Sequence, residues 1–191
     1  MSGNDEAGAS ACRPDSPFLP GQTPLELRVA DVDLDAFASL FQRLTAAGIT
    51  FTTLRERQTA DPRWLEQFTF LDNQTRSTSG NPEVPRTVAA MRGRLTELAL
   101  DPTACFVARD SERWIGYTLL DTVHSSTMRL RQSWTGVLPA YRQRGIGTAL
   151  KVLGVRYARQ NGYAFIDTAL RASNVASQAL SRRVGFHPPA G

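Results

Sequence analysis

Val137-Leu138-Pro139-Ala140-Tyr141-Arg142-Gln143-Arg144-Gly145-Ile146-Gly147-Thr148 joins a strand-like run to a helix-like one through a turn that carries two glycines one residue apart. Glycine has no Cβ, so the turn can bend sharply and bring its backbone N–H groups close to a ligand. The first N–H groups of the helix that follows have no acceptor within the helix and lie at the positive end of its dipole. A turn of this kind is an anion site, with phosphate or pyrophosphate as its usual occupant. A bare G-x-G also occurs at ordinary strand–turn–helix junctions. Here Arg142 and Arg144 add two guanidinium groups just ahead of the glycines.

Working outward, residues 128–137 read as a strand with Met128, Leu130, Gln132, Trp134 and Gly136 on one face. Beyond the glycines, Ile146, Ala149, Leu150, Leu153, Tyr157 and Ala158 recur at helical spacing. That stripe packs the helix onto a sheet and makes Tyr157 a core residue rather than a catalytic one. Gly162 stops the helix, residues 163–170 form the next strand, and a last helix runs over 174–184 with Ala176, Leu180 and Val184 inward. Towards the N-terminus, residues 25–30 read as a strand, and 31–47 as a helix with Leu34, Phe37, Leu40, Phe41 and Leu44 on one face. Residues 49–54 are β-branched and strand-like. Asp61-Pro62 starts a helix buried through Trp64, Leu65, Phe68 and Leu71. Residues 72–85 are polar and rich in breakers, hence a loop, and 86–98 form a helix through Val88, Met91, Leu95 and Leu98. Residues 104–109 and 114–120 flank Asp110-Ser111-Glu112-Arg113 as a hairpin. From residue 49 the order is β-α-α-β-β-β-α-β-α.

Composition narrows the class. At 191 residues, 41% apolar and 21% charged, the chain is sized for one sizeable core and composed like a soluble globular protein. Residues 1–20 are polar, rich in Gly, Ser and Pro and without an apolar core, so they read as a disordered leader and not a secretory signal; 21–191 read as a single domain. No run of apolar residues is long enough to span a membrane. Two cysteines, Cys12 and Cys105, make no disulfide framework, so a reducing cytoplasm is the expected compartment. Of the 22 basic residues, one, Lys151, is lysine. The net charge of +4 favours anionic ligands. The arginines are scattered and not interleaved with aromatics, so nucleic acid is not an expected partner.

Arg142-Gln143-Arg144-Gly145-Ile146-Gly147 resembles the Q/R-x-x-G-x-G/A signature of the GNAT superfamily of acyl-CoA-dependent N-acyltransferases, and Asn174 with Gly185-Phe186 resembles that family's N-x(10)-G-F segment. The likeness is detailed over 134–187 and follows element order over 49–187. Thr135-Gly136-Val137, Leu150-Lys151 and the lack of a tyrosine after the Asn are similar to the second repeat of tandem acyltransferases of the mycothiol-synthase type. The resemblance implies an α/β fold, a mixed twisted sheet with helices on both faces. The chain continues five residues past Phe186, short of the strand or strands such proteins place there, while 25–47 adds an N-terminal strand–helix unit. Residues 25–30 are therefore expected to fill the vacant edge, within one chain or by exchange in a homodimer.

The same resemblance implies acetyl-CoA as co-substrate, no metal, and a primary amine of a small molecule or peptide as acceptor. Gly136, Val137 and Leu138 would pair with the pantetheine arm. The N–H groups of Gln143, Arg144, Gly145, Ile146, Gly147 and Thr148 would hold the pyrophosphate, aided by the side chains of Arg142 and Arg144. Asn174 would contact the cofactor near its thiol, and is equally suited to cap a helix. Acyl transfer to an amine also needs a base, an acid and donors for the oxyanion. Many family members carry the acid as a tyrosine seven residues after the Asn; here that position is Ser181. A serine hydroxyl lacks the acidity and can only orient a water or hydrogen-bond the thiol. Asp121 and His124, following the 114–120 strand, and Asp167 on the 163–170 strand are the base candidates, Asp121 foremost. With Ser181 and no evident base, a non-catalytic acyl-CoA-binding or partner module stands as the alternative.

Overall fold

Residues 21–78, 84–97, 100–123 and 127–189 are described by a computed structural model. Strand β1 (Gln22–Arg28) leads through two short 3₁₀ turns to helix α1 (Ala38–Ala46). The helix read over 31–47 thus starts later, because Asp33 Oδ1 accepts the Asp35 N–H at 3.0 Å and holds the preceding chain in a turn. Strand β2 (Ile49–Thr53) runs directly into helix α2 (Leu54–Ala60), which opens on a capping box: Thr53 Oγ1 accepts the Glu56 N–H at 3.2 Å and Glu56 accepts the Thr53 N–H at 2.7 Å. Helix α3 (Trp64–Ser77) follows. It continues through 72–77, which the sequence reading had as loop, because Asp72 and Arg76 pair across one turn in the interior. Residues 79–83 of that expected loop lie outside the described residues. Helix α4 (Val88–Glu97) buries Met91; Leu98 lies outside the described residues.

Strands β3 (Cys105–Asp110), β4 (Arg113–Thr122) and β5 (Arg129–Val137), helix α5 (Ile146–Gln160), strand β6 (Phe165–Arg171) and helix α6 (Val175–Val184) complete the chain. The strands form one mixed sheet in the order β1-β6-β5-β4-β3-β2, with only the β5–β6 pair parallel. Helix α5 packs on one face, where a Cβ on Gly116 would meet Leu150 at 3.4 Å and one on Gly154 would meet Leu120 at 3.0 Å. Helix α3 packs on the other, with the Phe68 ring edge-on to Tyr117 at 4.9 Å. The core comprises two apolar clusters, one around Phe68, Ile115 and Leu150 with residues from both faces, the other around Leu27, Leu130 and Ile166.

The N-terminal strand fills the edge beside β6 within the chain itself: Gln22–Arg28 pairs antiparallel with Phe165–Arg171 over seven residues. On its far side, Glu26 and His187 exchange backbone hydrogen bonds of 2.8 and 2.9 Å.

Candidate functional site

The turn before α5 holds two residues in the left-handed region, Gln143 (φ 61) and Gly145 (φ 88). Gly145 is the N-cap and makes no side-chain capping bond. The left-handed φ favours glycine, and a Cβ there would also have to displace the Leu40 Cδ1 methyl, 2.6 Å away. The first helical bond runs from the Ala149 N–H to the Gly145 carbonyl at 3.0 Å, and the turn's last bond from the Arg142 N–H to the Pro139 carbonyl at 3.2 Å. Between them, among the described residues, the six N–H groups from Gln143 to Thr148 have no protein acceptor. At Gly147 a Cβ would lie 3.1 Å from Leu180 and 3.8 Å from Val137, so the bare backbone lets α5, α6 and the end of β5 converge. The side chains of Arg142 and Arg144 are not arrayed on those N–H groups. Arg142 Nε donates to the Val137 carbonyl at 3.0 Å, and Arg144 Nη2 to the Ala140 carbonyl at 3.1 Å. Neither pairs with a carboxylate among the described residues, so both charges stay available to an anion.

The turn stands at the mouth of a gap in the sheet. Strands β5 and β6 are in register for only three pairs, Arg129 to Phe165, Leu130 to Ile166 and Arg131 to Asp167. Across β5 the ladder to β4 passes from Leu119–Trp134 to Leu120–Gln132, which leaves Ser133 as an extra residue. Such a bulge bends the strand and increases its twist. It also corrects the single face read for 128–137. Gln132 looks towards α5, where Lys151 Nζ donates to its Oε1, whereas Trp134 lies under Arg76 of α3, whose guanidinium is 3.9 Å from the ring centre. Gly136 abuts Thr75 of α3, where a Cβ would meet a side-chain atom at 2.7 Å. At the end of the gap the Leu138 N–H is taken by the Ile115 carbonyl at 2.8 Å, and the Val137 carbonyl by Arg142.

Asp121 belongs to β4 itself, not to a segment after it, and is 7% exposed. It faces away from α5, since its neighbour Leu120 packs against Gly154 and strand side chains alternate. Burial pushes its carboxyl above the usual range, opposed by the Ser133 hydroxyl and by Arg131, whose Nε is 3.9 Å away. Asp121 Oδ1, Ser133 Oγ and Arg131 Nε are all buried without a well-formed hydrogen bond. Asp167 is engaged differently, in a 2.7 Å ion pair with Arg129, which also holds Glu26 at 2.7 Å. His124 lies outside the described residues. Ser181 is fully buried on α6, with an Oγ that has no partner. It does not meet Asp121: the two stand on opposite sides of the sheet. Asn174 caps α6, its Oδ1 accepting the Ser177 N–H at 3.1 Å. Cys105 is buried and its thiol is pushed far up by desolvation, in keeping with a structural role.

Two features escape the sequence reading. Asp72 accepts from Arg76 at 2.7 Å, from Arg86 at 2.9 Å and from the Tyr117 hydroxyl, a buried polar cluster between α3 and the sheet. Only the i, i+4 spacing of Asp72 and Arg76 hints at it. The other is Lys151, fully enclosed on α5. Its place between Leu150 and Val152 in an apolar helix, as the chain's sole lysine, is the signal available in the sequence.

Comparison with known proteins places these features in a family. A model of the acetyltransferase (GNAT) family matches residues 64–186. A mycothiol acetyltransferase of Clavibacter sepedonicus is 29% identical over 192 residues, covering 95% of this chain and 62% of its own length. The chain therefore spans under two thirds of that relative. Among solved structures, a tandem GNAT protein from the clavulanic acid biosynthesis pathway superposes with a TM-score of 0.61 at 18% identity, over 87% of this chain and 50% of the other. A Salmonella typhimurium protein solved with its cofactor acetyl-CoA gives a TM-score of 0.58 at 18% identity, over 75% and 82% of the two chains. No helix among the described residues is long and apolar enough to cross a membrane.

Proposed function

Because the chain belongs to the acetyltransferase (GNAT) family, we propose that it transfers an acetyl group from acetyl-CoA to a primary amine of a small molecule or peptide. The observation that carries this reading is the row of six N–H groups without acceptors, set beside the gap between β5 and β6. Donors in a row at a helix N-terminus fit a pyrophosphate, and the glycine at 147, where a side chain would crowd Leu180 and Val137, fits a large ligand drawn close to backbone. Acetyl-CoA supplies the acyl group as a thioester. Gln143 to Thr148 bind the diphosphate through their backbone, Arg142 and Arg144 add charge, and the strand end at Val137 and Leu138 guides the arm into the gap. Asn174 orders the α6 wall by capping it.

Asp121 acts as the base. Its carboxyl is raised by burial and has one oxygen free of hydrogen bonds, which suits it to take a proton from an ammonium or amine brought to the bulge. Ser181, buried and without a partner, offers a hydroxyl to the cofactor side of the sheet and no acidity of its own. A GNAT-fold module that binds acyl-CoA without turnover is the second reading, favoured by that serine.

The test is thermal unfolding with and without acetyl-CoA, for the wild type and Gly147→Glu. At a hundred times its dissociation constant the ligand contributes about 2.7 kcal/mol, a rise in Tm of about 5–11 °C for a domain of this size. The rise is expected in the wild type and not in the variant, whose carboxylate enters the anion site. No rise in either protein refutes the cofactor assignment. A rise without acetylation across a panel of amines favours the binding module.

A further inference from the structure

Lys151 is the only lysine in the chain and is buried, at 3% exposure. Its Nζ makes one hydrogen bond among the described residues, to Gln132 Oε1, and has no carboxylate partner. Gln132 is held in turn: its Nε2 donates to Thr118 Oγ1 at 3.0 Å and its carbonyl accepts from Thr168 Oγ1 at 3.0 Å. A buried ammonium without an anion is costly, and folded proteins nearly always pair it. No titratable group on β4, β5, β6 or α6 perturbs this amine; burial alone brings it down, to about 7.

Its location gives the unpaired charge a purpose. Gln132 is the residue after Arg131, where the β5–β6 ladder ends, so Lys151 sits where the two strands part. From Val137 back to Gln132 the strand covers about 17 Å at ~3.3 Å per residue, so an arm held along it from the α5 turn ends beside Lys151. The Phe186 ring lies 4.8 Å from Nζ, and the Phe186 N–H donates to the carbonyl of Ser181 at 3.1 Å. The end of α6 thus brings Ser181, with its unpartnered hydroxyl, against the same wall.

We propose that Lys151 is the proton donor to the sulfur anion released at the parting of β5 and β6, in the place that Ser181 cannot fill. This assignment rests on the acetyl-CoA reading above. As the acceptor nitrogen bonds to the acyl carbon, the C–S bond breaks and its electron pair passes to sulfur. The Nζ–H proton moves to that sulfur, leaving a neutral amine and a neutral thiol. The proton lost by the acceptor nitrogen to Asp121 returns to Lys151 through solvent, so charge and protons balance.

A single lysine permits a direct test on the wild-type protein. Lysine labelled with a carbon isotope at Cε gives one resonance, whose titration is followed by NMR in the free protein, with CoA, and with desulfo-CoA, binding of each being checked by thermal shift. With CoA, Lys151 and the sulfur titrate as a coupled pair, and the Lys151 midpoint is expected to differ from its value with desulfo-CoA by about 1 pH unit or more. Desulfo-CoA, which lacks the sulfur, is expected to leave it near the free value. Equal midpoints in the two complexes overturn the role of Lys151 and leave the cofactor assignment intact. Failure of CoA to bind overturns the cofactor assignment and this role with it.

Discussion

Lys151 shows how one side chain can set stability against function. Its amine falls to about 7 in the fold from an ordinary 10.5, so over that interval the unfolded chain binds a proton that the folded chain does not. Stability therefore declines as pH falls from 10.5 towards 7 and is flat with respect to this group outside that window. At ~1.4 kcal/mol per pH unit the decline amounts to a few kcal/mol. Lys151→Met keeps most of the unbranched side chain and removes the charge. It is expected to abolish this slope, so that the Tm of the variant gains on that of the wild type between pH 10 and pH 7; parallel Tm values would show that the ammonium is not buried. Asp121 contributes in a separate window. With its folded pKa raised, its stabilisation is complete below the ordinary carboxylate value and is lost as pH rises through the folded one. Two side chains that each lower stability at neutral pH, on opposite faces of one bulge, are the pattern expected where function rather than packing selects the residues.

Among the elements, the α5 turn was the most legible, because its rules are local. Two glycines, a strand before and an apolar stripe after required no knowledge of distant residues, and Asn174 and Gly185 marked the two ends of α6 by the same means. The capping box of α2 is equally local, Thr53 and Glu56 standing at the signature spacing. What could not be read depends on partners far along the chain. The polar stretch 72–77 is helical because Tyr117 and Arg86 complete the pairing of Asp72, and Ser133 bulges against β4. The glycines permit a clean test of why the turn has its shape. Gly145 and Gly162 share a left-handed φ, of 88° and 76°, but only the first faces a neighbour. Gly162→Ala is expected to cost about 1–2 kcal/mol for backbone alone. Gly145→Ala adds a clash with Leu40 and must cost more, read as the larger drop in Tm. Equal drops would mean that α1 yields freely and does not brace the anion turn.

For the whole molecule, the problem is an edge. A sheet that ends at β6 exposes a row of N–H and C=O groups beside the gap, inviting other strands. The fold closes it with its own N-terminal strand, and Arg129 ties β1, β6 and β5 together by reaching Glu26 and Asp167 at once. The strand itself was legible in the run at 25–30, whereas its antiparallel register was not, since register depends on the two faces meeting. The tie lies at the three-pair ladder from which β5 and β6 diverge, so β1 steadies the apex of the proposed site without touching the anion turn. Leu27, fully buried where β1 crosses Ile166, is the side chain on which this rests. Leu27→Ala is expected to lower stability by about 2–5 kcal/mol, with a Tm lower by several degrees. If β1 were only an appendage, the variant would unfold with the wild-type Tm and lose only a local transition. If it is part of the sheet, as the pairing shows, unfolding stays a single transition and the acetyl-CoA-induced rise in Tm is retained, because the N–H groups of residues 143–148 are untouched.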